Sequence, residues 1–330
     1  MKYLSIILLS FMTLIFSACS SKKVYEPSDV VGNWKATGSS KYTIKDISPD
    51  AALVEDQKVV VKNNILDVKI PQNDRLLGYS DGWVISSNIE GDLTLISAGS
   101  KKVEKFSLKK TIATASSQGD ILAVLFADNE MALYSIESKA ILLKEQGDAP
   151  IAVNSKIVKP YFRDDLVLFS TLDGKVVIIS LKMKKKLRTV IVSGEANFNN
   201  IIYFGLVDNK IIAATGHKIL SLAQKEIRLA YDIRTILESE KEIFVATKQG
   251  EIISLTPELQ QNAKLKFPFA HFLGMIINND KLYVLEKEGY IIEISKDLSK
   301  YSVYEADVED GYVFINDKIF FVDDRYISVE

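Results

Sequence analysis

The chain carries few side chains that could perform catalysis or bind a metal. Among 330 residues there are one cysteine, Cys19, and two histidines, His217 and His271. A metal site requires several His, Cys or carboxylate ligands to converge, and a Ser-His-Asp site requires a buried, oriented histidine. The two histidines lie in separate segments, and His271 stands in the apolar stretch FPFAHFLG. We therefore predict a protein that is not an enzyme and that holds no metal.

Two charged stretches are the remaining candidates for ion or lipid binding. The acidic stretch EADVEDG supplies Asp307, Glu309 and Asp310 as carboxylates that could bind calcium weakly, but it lacks the full ligand spacing of an EF-hand loop. The basic run KMKKKLR, residues 182–188, could meet anionic lipid headgroups. Both stretches also fit solvated turns or loops between strands, and we favour that interpretation.

The single cysteine follows an apolar N-terminal segment. Behind the charge of Lys2, residues 4–16 are almost wholly apolar, as in the hydrophobic region of a signal peptide. The segment is shorter than the roughly 20 apolar residues of a transmembrane helix. Ordinary cleavage after Ala18 requires a small residue at the position where Phe16 stands. This mismatch favours a different kind of processing.

The four residues Phe16-Ser17-Ala18-Cys19 resemble the bacterial lipoprotein box, with Phe where that box usually has Leu. The cysteine of such a box receives a diacylglycerol before cleavage, and two or more acyl chains make a stable anchor where one is marginal. We predict a signal peptide over residues 1–18 and lipidation, with palmitate, of Cys19. The alternative is a plain signal peptide with a chance cysteine.

Lipidation would constrain the compartment and the partners. No disulfide or cysteine nucleophile is then possible, although the compartment permits disulfides. Removal of residues 1–18 takes away only Lys2, so the 43 acidic residues give a formal charge near −3, whereas nucleic-acid binding calls for a basic surface. Ser20, in place of Asp, resembles lipoproteins sent to the outer membrane. We expect an envelope protein held by its lipid, facing the periplasm from the outer membrane, with the leaflet left open.

The rest of the chain repeats one pattern. Residues 19–49 are polar and punctuated by Gly, Ser and Pro, so we interpret them as the lipidated cysteine and a tether. Over residues 50–330, an alternating strand, a short turn and a second strand recur, which is a hairpin pattern. The pattern is clearest at residues 83–97, 165–181, 242–255 and 281–295, and weaker at 121–136, 211–222 and 319–330.

The turn residues of these hairpins recur at intervals of 34 to 45 residues, as in the blades of a β-propeller. They are Gly91, Asn129, Gly174, Gly216, Gly250, Gly289 and Asp324. We predict an all-β fold, a closed β-propeller of four-stranded antiparallel blades, with seven blades. Eight follow if residues 52–68 are themselves a degenerate blade. Because the chain ends on the third strand of a blade, we expect residues 58–70 to close the ring by completing the last blade.

The lipoprotein box, the tether and hairpins of the form strand, Asp/Glu-Gly-Lys/Glu, then VVIISL or IISL resemble the quinoprotein-like propellers with PQQ-like repeats. Within them, residues 50–330 resemble the BamB family of lipoproteins, the propeller subunits of the outer-membrane β-barrel assembly machinery. The resemblance implies a non-catalytic scaffold whose loops hold a periplasmic domain of the barrel-inserting protein. The alternative is a lipoprotein propeller with another role, as a surface adhesin or another envelope-complex subunit.

The resemblance does not extend to enzyme chemistry. Quinone-dependent enzymes of that superfamily hold pyrroloquinoline quinone between a tryptophan floor and a vicinal disulfide, with a calcium ion and an Asp base. This chain has one cysteine and two tryptophans, Trp34 in the tether and Trp83 in a strand. We therefore expect no cofactor.

One loop resembles the contact of that family with its partner. The family uses a leucine-containing, arginine-ended strand before a Gly-Glu-Ser-Ala-Pro type loop, and the nearest match here is LLKEQGDAP, residues 142–150. Asp148 replaces a polar position, and Gln146 stands where the family has Arg. The alternative is a generic connection between blades with a turn proline. The resemblance implies the partner-binding residues Leu143, Gly147, Asp148 and Pro150.

Overall fold

The structure is a computed structural model that describes residues 23–62, 64–308 and 310–329. In these ranges the chain forms antiparallel β-sheets, each of which is one blade of a closed ring. The described residues include one short 3-10 helix, Glu55–Gln57, and they contain no helix that is long and apolar enough to span a membrane. The predicted lipidation site Cys19 and the carboxylate of Glu309 lie outside the described residues.

The strands follow each other in chain order around the ring. Two short strands, β1 (Gly32–Asn33) and β2 (Thr37–Ser39), precede the first blade. Blades 1 to 4 contain β3 (Ile44–Ile47), β4 (Ala51–Val54), β5 (Lys58–Val61) and β6 (Asn64–Lys69); β7 (Arg75–Ser80), β8 (Trp83–Ser87), β9 (Asp92–Ser97) and β10 (Val103–Ser107); β11 (Ile112–Gln118), β12 (Ile121–Phe126), β13 (Glu130–Ser135) and β14 (Ile141–Gln146); β15 (Tyr161–Arg163), β16 (Leu166–Ser170), β17 (Lys175–Ser180) and β18 (Lys185–Ile191).

The second half of the ring repeats this arrangement. Blades 5 to 8 contain β19 (Tyr203–Val207), β20 (Lys210–Ala214), β21 (Lys218–Leu222) and β22 (Glu226–Ala230); β23 (Ile233–Glu238), β24 (Ile243–Thr247), β25 (Glu251–Leu255) and β26 (Gln261–Lys266); β27 (Phe272–Asn278), β28 (Lys281–Glu286), β29 (Tyr290–Ser295) and β30 (Tyr301–Glu305); β31 (Val313–Ile315), β32 (Ile319–Val322) and β33 (Arg325–Ser328), to which β2 is added as the outermost strand.

The ring has eight blades, so the prediction of seven is wrong and the alternative of eight is observed. The seven hairpin landmarks all lie in or beside the turns between the second and third strands of blades 2 to 8. In blade 1 this turn is the 3-10 turn Glu55–Gln57, where Asp56 and Gln57 take the left-handed conformation, with φ of 63° and 61°. This turn contains no glycine, and blade 1 is the blade without a landmark.

The strand that closes the ring also differs from the prediction. Residues 58–70 form β5 and β6, which complete blade 1 and not the last blade. The last blade is completed by β2, in which Thr37 pairs with Ile327 and Ser39 with Arg325 in antiparallel register. A strand of three residues with one glycine carries no hairpin pattern, so the sequence gives no signal for it. Closure by an N-terminal strand was correctly predicted, but its position was not.

The segment before β2 is packed against the ring, and residues 32–47, predicted as tether, contain β1, β2 and β3. We call residues 23–39 the strap. β1 runs parallel to β30 of blade 7, Tyr25 is 5% exposed, and Trp34 lies edge-on to Tyr283 and Tyr304, with ring centroids 5.8 and 5.0 Å away. The indole Nε1 of Trp34 donates to the Ser328 carbonyl at 2.8 Å, which joins blade 7 to blade 8.

The apolar core is divided among the seams between neighbouring blades. Alternating strands place every second side chain on the same face of a blade, and these faces meet in eight buried clusters, one per seam, within the described residues. The seam between blades 8 and 1 is the smallest, with only Ile44, Ala52 and Phe314 fully buried. A cavity of about 200 Å³ opens there beside Phe314 and Phe321. The closing seam is therefore the least densely packed.

The antiparallel order of the strands divides the turns between two faces of the ring. We call the face with the turns between second and third strands, and with the connections to the next blade, the connection face. The other face, the hairpin face, carries the remaining turns. Aspartates here join turns of one blade: the Asp120 carboxylate accepts hydrogen bonds from Ser135 Oγ and the Glu137 amide, both at 2.7 Å. Asp165 repeats this arrangement in blade 4.

Candidate binding face

The predicted partner loop lies on the connection face, at its outer rim. Leu143 belongs to β14, the outermost strand of blade 3, and its partly buried side chain packs against the apolar seam with blade 4. Asp148 is exposed and its carboxylate accepts a hydrogen bond from Lys175 Nζ of blade 4 at 2.6 Å. Pro150 is partly exposed where the chain turns toward the ring axis. The structure thus brings Gly147, Asp148 and Pro150 together and leaves Leu143 facing the seam.

A buried asparagine, Asn129, holds the start of this loop. Its side-chain Nδ2 donates to the Asp148 carbonyl and to Asp173 Oδ1, both at 2.8 Å, while its Oδ1 accepts from the Leu172 amide at 2.9 Å. Gly147 lies so close to Asn129 that an added Cβ would stand 2.7 Å from Nδ2. The hairpin landmark Asn129 therefore joins blade 3, the loop and blade 4.

After Pro150 the chain crosses the central channel of the ring before it enters blade 4. Asn200, fully buried, accepts from the Asn154 amide at 2.6 Å and donates to the Lys156 carbonyl at 2.7 Å. Lys156 Nζ then donates to the Arg234 carbonyl on the innermost strand of blade 6 at 3.1 Å. Lys159 Nζ reaches Asp50 of blade 1 and the Tyr79 carbonyl of blade 2. Residues 151–159, the channel loop, thus contact inner strands on several sides of the ring.

The channel carries positive charge next to the channel loop. Water reaches Lys156, but the surrounding protein, together with the charge of Arg234, lowers its pKa to about 8. Arg234 donates from Nη1 to His271 Nε2 at 2.6 Å, and because a guanidinium only donates, this histidine nitrogen is the acceptor. Burial lowers the pKa of Arg234 as well. The two cations therefore lie close enough for the charge of Arg234 to act on Lys156.

Exposed apolar side chains surround the point where the channel loop meets the connection face. Ile151 is 81% exposed and Val153 37%. Phe198, in the connection from blade 4 to blade 5, is 54% exposed, and its amide donates to the Ala152 carbonyl at 2.9 Å. Phe198 has a φ of 52°, a conformation that is rare for a bulky residue. We call Ile151, Val153, Phe198 and the neighbouring Asp148 the partner patch.

The charged stretches singled out in the sequence form ordinary ion pairs. Asp307 pairs with Arg325 Nη1 at 2.6 Å, and Asp310 lies 3.5 Å from Lys287 Nζ. In the described part of the chain, no three His, Cys, Asp or Glu side chains gather as a metal site would require. The basic run 182–188 forms a turn and the start of β18, where Arg188 pairs with Glu226.

A serine motif in blade 2 also lacks catalytic geometry. Residues 78–82 read Gly-Tyr-Ser-Asp-Gly, which fits the Gly-x-Ser-x-Gly pattern, but a nucleophile elbow joins a strand to a helix. Here the segment is the end of β7 and a turn into another strand. Ser80 Oγ accepts from the Ser117 amide at 2.8 Å and lies 3.2 Å from Ser117 Oγ. The serine joins blades 2 and 3.

Two further carboxylates, the buried Glu286 and the exposed Glu238, have raised pKa values. Glu286, fully buried, accepts from the amides of His271 at 2.8 Å and Glu288 at 2.7 Å, and burial raises its pKa. The Tyr203 hydroxyl donates to Glu238, and burial raises the pKa of both groups. Such shifts can mark functional sites, but here each group binds backbone or a neighbouring inner strand. They stand inside ordinary strand patterns, so no motif in the sequence marks them.

Fold and surface together define an eight-bladed β-propeller with an apolar patch on its connection face. Its sequence is similar to two curated proteins, both named plasminogen-binding protein PgbB, from Helicobacter pylori strains J99 and 26695. The identity is 34% and 33% over 207 residues, which are 62% of this chain and 38% of each relative. The chain thus spans about two fifths of the length of these curated relatives. No protein-family model matches the sequence.

The solved structures that match cover most of this chain, but their sequences are only distantly similar to it. BamB from Moraxella catarrhalis has a TM-score of 0.67 at 12% identity, covering 89% of this chain and 98% of that one. The computationally designed protein Ika8 has a TM-score of 0.62 at 12% identity, covering 92% and 100%. The C-terminal WD40 domain of Sif2 has a TM-score of 0.63 at 10% identity, covering 90% and 99%. At these identities the likeness shows the propeller fold alone.

Proposed function

We propose that this chain is a non-catalytic, lipid-anchored protein of the bacterial cell envelope that binds protein partners through its connection face. The observation that carries the proposal is the partner patch, where Ile151 and Phe198 expose large apolar surfaces beside the charged Asp148. Apolar side chains rimmed by polar ones are typical of protein interfaces. The names of the sequence relatives also describe a binding role.

The first candidate partner is a periplasmic domain of the outer-membrane barrel-inserting protein. It is supported by the resemblance of residues 142–150 to the contact loop of BamB-like lipoproteins and by the likeness of the fold to BamB. The loop runs directly into Ile151, so the predicted contact and the exposed apolar side chains are continuous along the chain. Leu143 packs toward the seam with blade 4, so we assign the contact to the partner patch, which includes Asp148.

The second candidate is an extracellular host protein, with this chain acting as a surface adhesin. It is supported by the similarity to proteins named plasminogen-binding, at a higher identity than the three solved structures described above. The two candidates differ in the side of the membrane on which the propeller lies. Accessibility of the propeller on intact cells and the identity of the bound protein distinguish them.

The test is co-purification from detergent-solubilised envelopes with the full chain as bait. We compare the wild type with the double variant Ile151→Ser, Phe198→Ser. Met183→Ser is the matched control, because Met183 is equally exposed, at 52%, but lies in a turn of the hairpin face. We expect the double variant to lose the barrel-inserting protein with an unchanged melting temperature, since exposed side chains contribute little to stability.

The outcomes separate the candidates. If the wild type and the control retain the barrel-inserting protein and the double variant does not, the first candidate is supported. Saturable binding of purified plasminogen by the intact cell surface, with loss in the double variant, supports the second. Full partner retention by a stably folded double variant removes the partner patch from the interface and contradicts the proposal.

A further inference from the structure

The strap enters the ring at a defined corner of the connection face. Tyr25 is buried between blades 6 and 7, where its ring lies 6.2 Å from Phe267 and 5.7 Å from Tyr290 between centroids. Lys23 is two residues earlier and lies over the connection between these blades, with Nζ 5.4 Å from the centre of the Phe269 ring. The buried tyrosine therefore fixes where the N-terminal end of the described chain leaves the ring.

Phe269 at this corner is held in a strained and exposed conformation. Its φ is 67°, and its side chain is 57% exposed. Two other bulky residues with positive φ, Leu259 and Leu298, lie in hairpin-face turns and are each 4% exposed. Their strain is offset by burial, whereas Phe269 gains no such burial in the chain itself. Backbone strain that no burial within the fold offsets is typical of binding sites.

The distance from this corner to Cys19 is short. Three residues lie between Cys19 and Lys23, and a fully extended chain covers at most about 14 Å over these four steps. If Cys19 carries the lipid, as the proposed function holds, the blade 6 and blade 7 corner cannot leave the membrane surface by more than this distance. A phenylalanine next to a lysine suits a membrane surface, because the apolar ring can enter the acyl boundary while the ammonium meets anionic headgroups.

We propose that Lys23 and Phe269, the anchor corner, rest on the lipid bilayer and hold the propeller in one orientation. The partner patch lies at the connections between blades 3, 4 and 5, on the same face of the ring but at different blades from the anchor corner. This inference rests on the proposed lipid anchor, and it adds which part of the ring the anchor holds against the bilayer.

The test measures contact with lipid at single labelled positions of the full, anchored chain. Phe269→Cys, Phe198→Cys and Met183→Cys are each labelled with an environment-sensitive fluorophore. The protein is reconstituted in vesicles of phosphatidylethanolamine and phosphatidylglycerol that contain a doxyl-labelled quencher lipid. Phe198 is the matched control, because it is also an exposed aromatic residue with positive φ on the connection face. We expect severalfold stronger quenching of the label at position 269 than at positions 198 and 183.

Equal quenching at all three positions, with native melting temperatures, would overturn the anchor corner. So would a label at position 269 that is shielded from aqueous iodide but not quenched by lipid, since a protein would then cover it. The wild type tests the anchor separately, because an acylated Cys19 has no free thiol. Reaction of Cys19 with maleimide in the wild type would refute the lipid anchor and this inference together, whereas an unreactive Cys19 with equal quenching refutes the inference alone.

Discussion

The two sides of the connection face are held by opposite kinds of interaction. On the side of blades 6 to 8, the strap is fixed by aromatic burial, with Tyr25 and Trp34 packed edge-on against rings of blades 6 and 7. On the side of blades 3 to 5, the channel loop is fixed by hydrogen bonds from Asn129, Asn200 and Lys159. Each side exposes one phenylalanine with positive φ.

The difference indicates which side belongs to the fold and which to function. Burial of large aromatic groups stabilises a protein by several kcal/mol, whereas a typical hydrogen bond contributes about 0.5–1.5 kcal/mol net. The strap therefore stabilises the closed ring. The channel loop can change its sequence at low cost to the fold, and it carries the side chains that we assign to partner binding.

The largest effect is expected from Trp34→Ala on the strap side. This change removes the ring contacts with blade 7 and the hydrogen bond to Ser328 of blade 8, and we expect a loss of about 3 kcal/mol in the free energy of unfolding. Denaturant unfolding measures it. Val31→Ala is the control in the same segment, because Val31 is 62% exposed. Equal stability of the Trp34 variant and the control would show that the strap does not stabilise the closed ring.

A smaller effect separates the strained residues of the two faces. Leu298→Gly relieves a positive φ but removes a buried side chain, so we expect a net loss of about 2 kcal/mol. Phe269→Gly and Phe198→Gly relieve the same strain and lose only exposed surface, so their stability should lie within about 0.5 kcal/mol of the wild type. Thermal or denaturant unfolding of the three variants checks the difference. A large loss of stability in either phenylalanine variant would mean that the phenylalanine side chain supports the fold and is not free for binding.

Much of the fold could be predicted because it repeats. Turns with positive φ recur at Gly91, Gly174 and Gly250, and at Gly250 an added Cβ would collide with the Phe267 carbonyl, so glycine is the visible mark of the repeat. Blade 1 was predicted only as the alternative of a degenerate blade, because Asp56 and Gln57 take positive φ without glycine. The closing strand escaped detection because its pairing depends on residues about 290 positions away, as Thr37 pairs with Ile327. Local patterns carry no record of such pairing.

The candidate site was less accessible to prediction. The partner loop with Gly147 and Pro150 stays a prediction from the resemblance, Leu143 faces the seam, and the channel loop beyond Pro150 has no recognisable motif. Its path depends on Asn200, which is 46 residues from Asn154 in the chain. Exposed apolar residues such as Ile151 and Phe198 come together only in the ring, so neither hydrophobic periodicity nor spacing reveals the patch.

The smallest effect concerns Lys156 in the channel loop and depends on pH. Its pKa is about 8 in the folded state and near 10.5 in the unfolded state. Below pH 8 both states hold the proton, and the folded state carries the charge next to Arg234 at a cost. Between about pH 8 and 10.5 the unfolded state binds more protons, so this contribution makes stability rise with pH.

Lys156→Met removes the titration and keeps the length of the side chain. We expect the variant to be more stable than the wild type at pH 7, by a modest amount because water reaches the position, and the difference to shrink as pH rises toward 10. Because other groups also titrate, the measured quantity is the difference in denaturant midpoint between variant and wild type at each pH. Lys159→Met, which removes the ion pair with Asp50, is the control and should be less stable than the wild type at pH 7. If the stability difference between Lys156→Met and the wild type does not change with pH, the channel does not hold this lysine near Arg234. The polar interactions on the side of the channel loop would then include no cation pair, and the contrast with the apolar strap side would rest on hydrogen bonds alone.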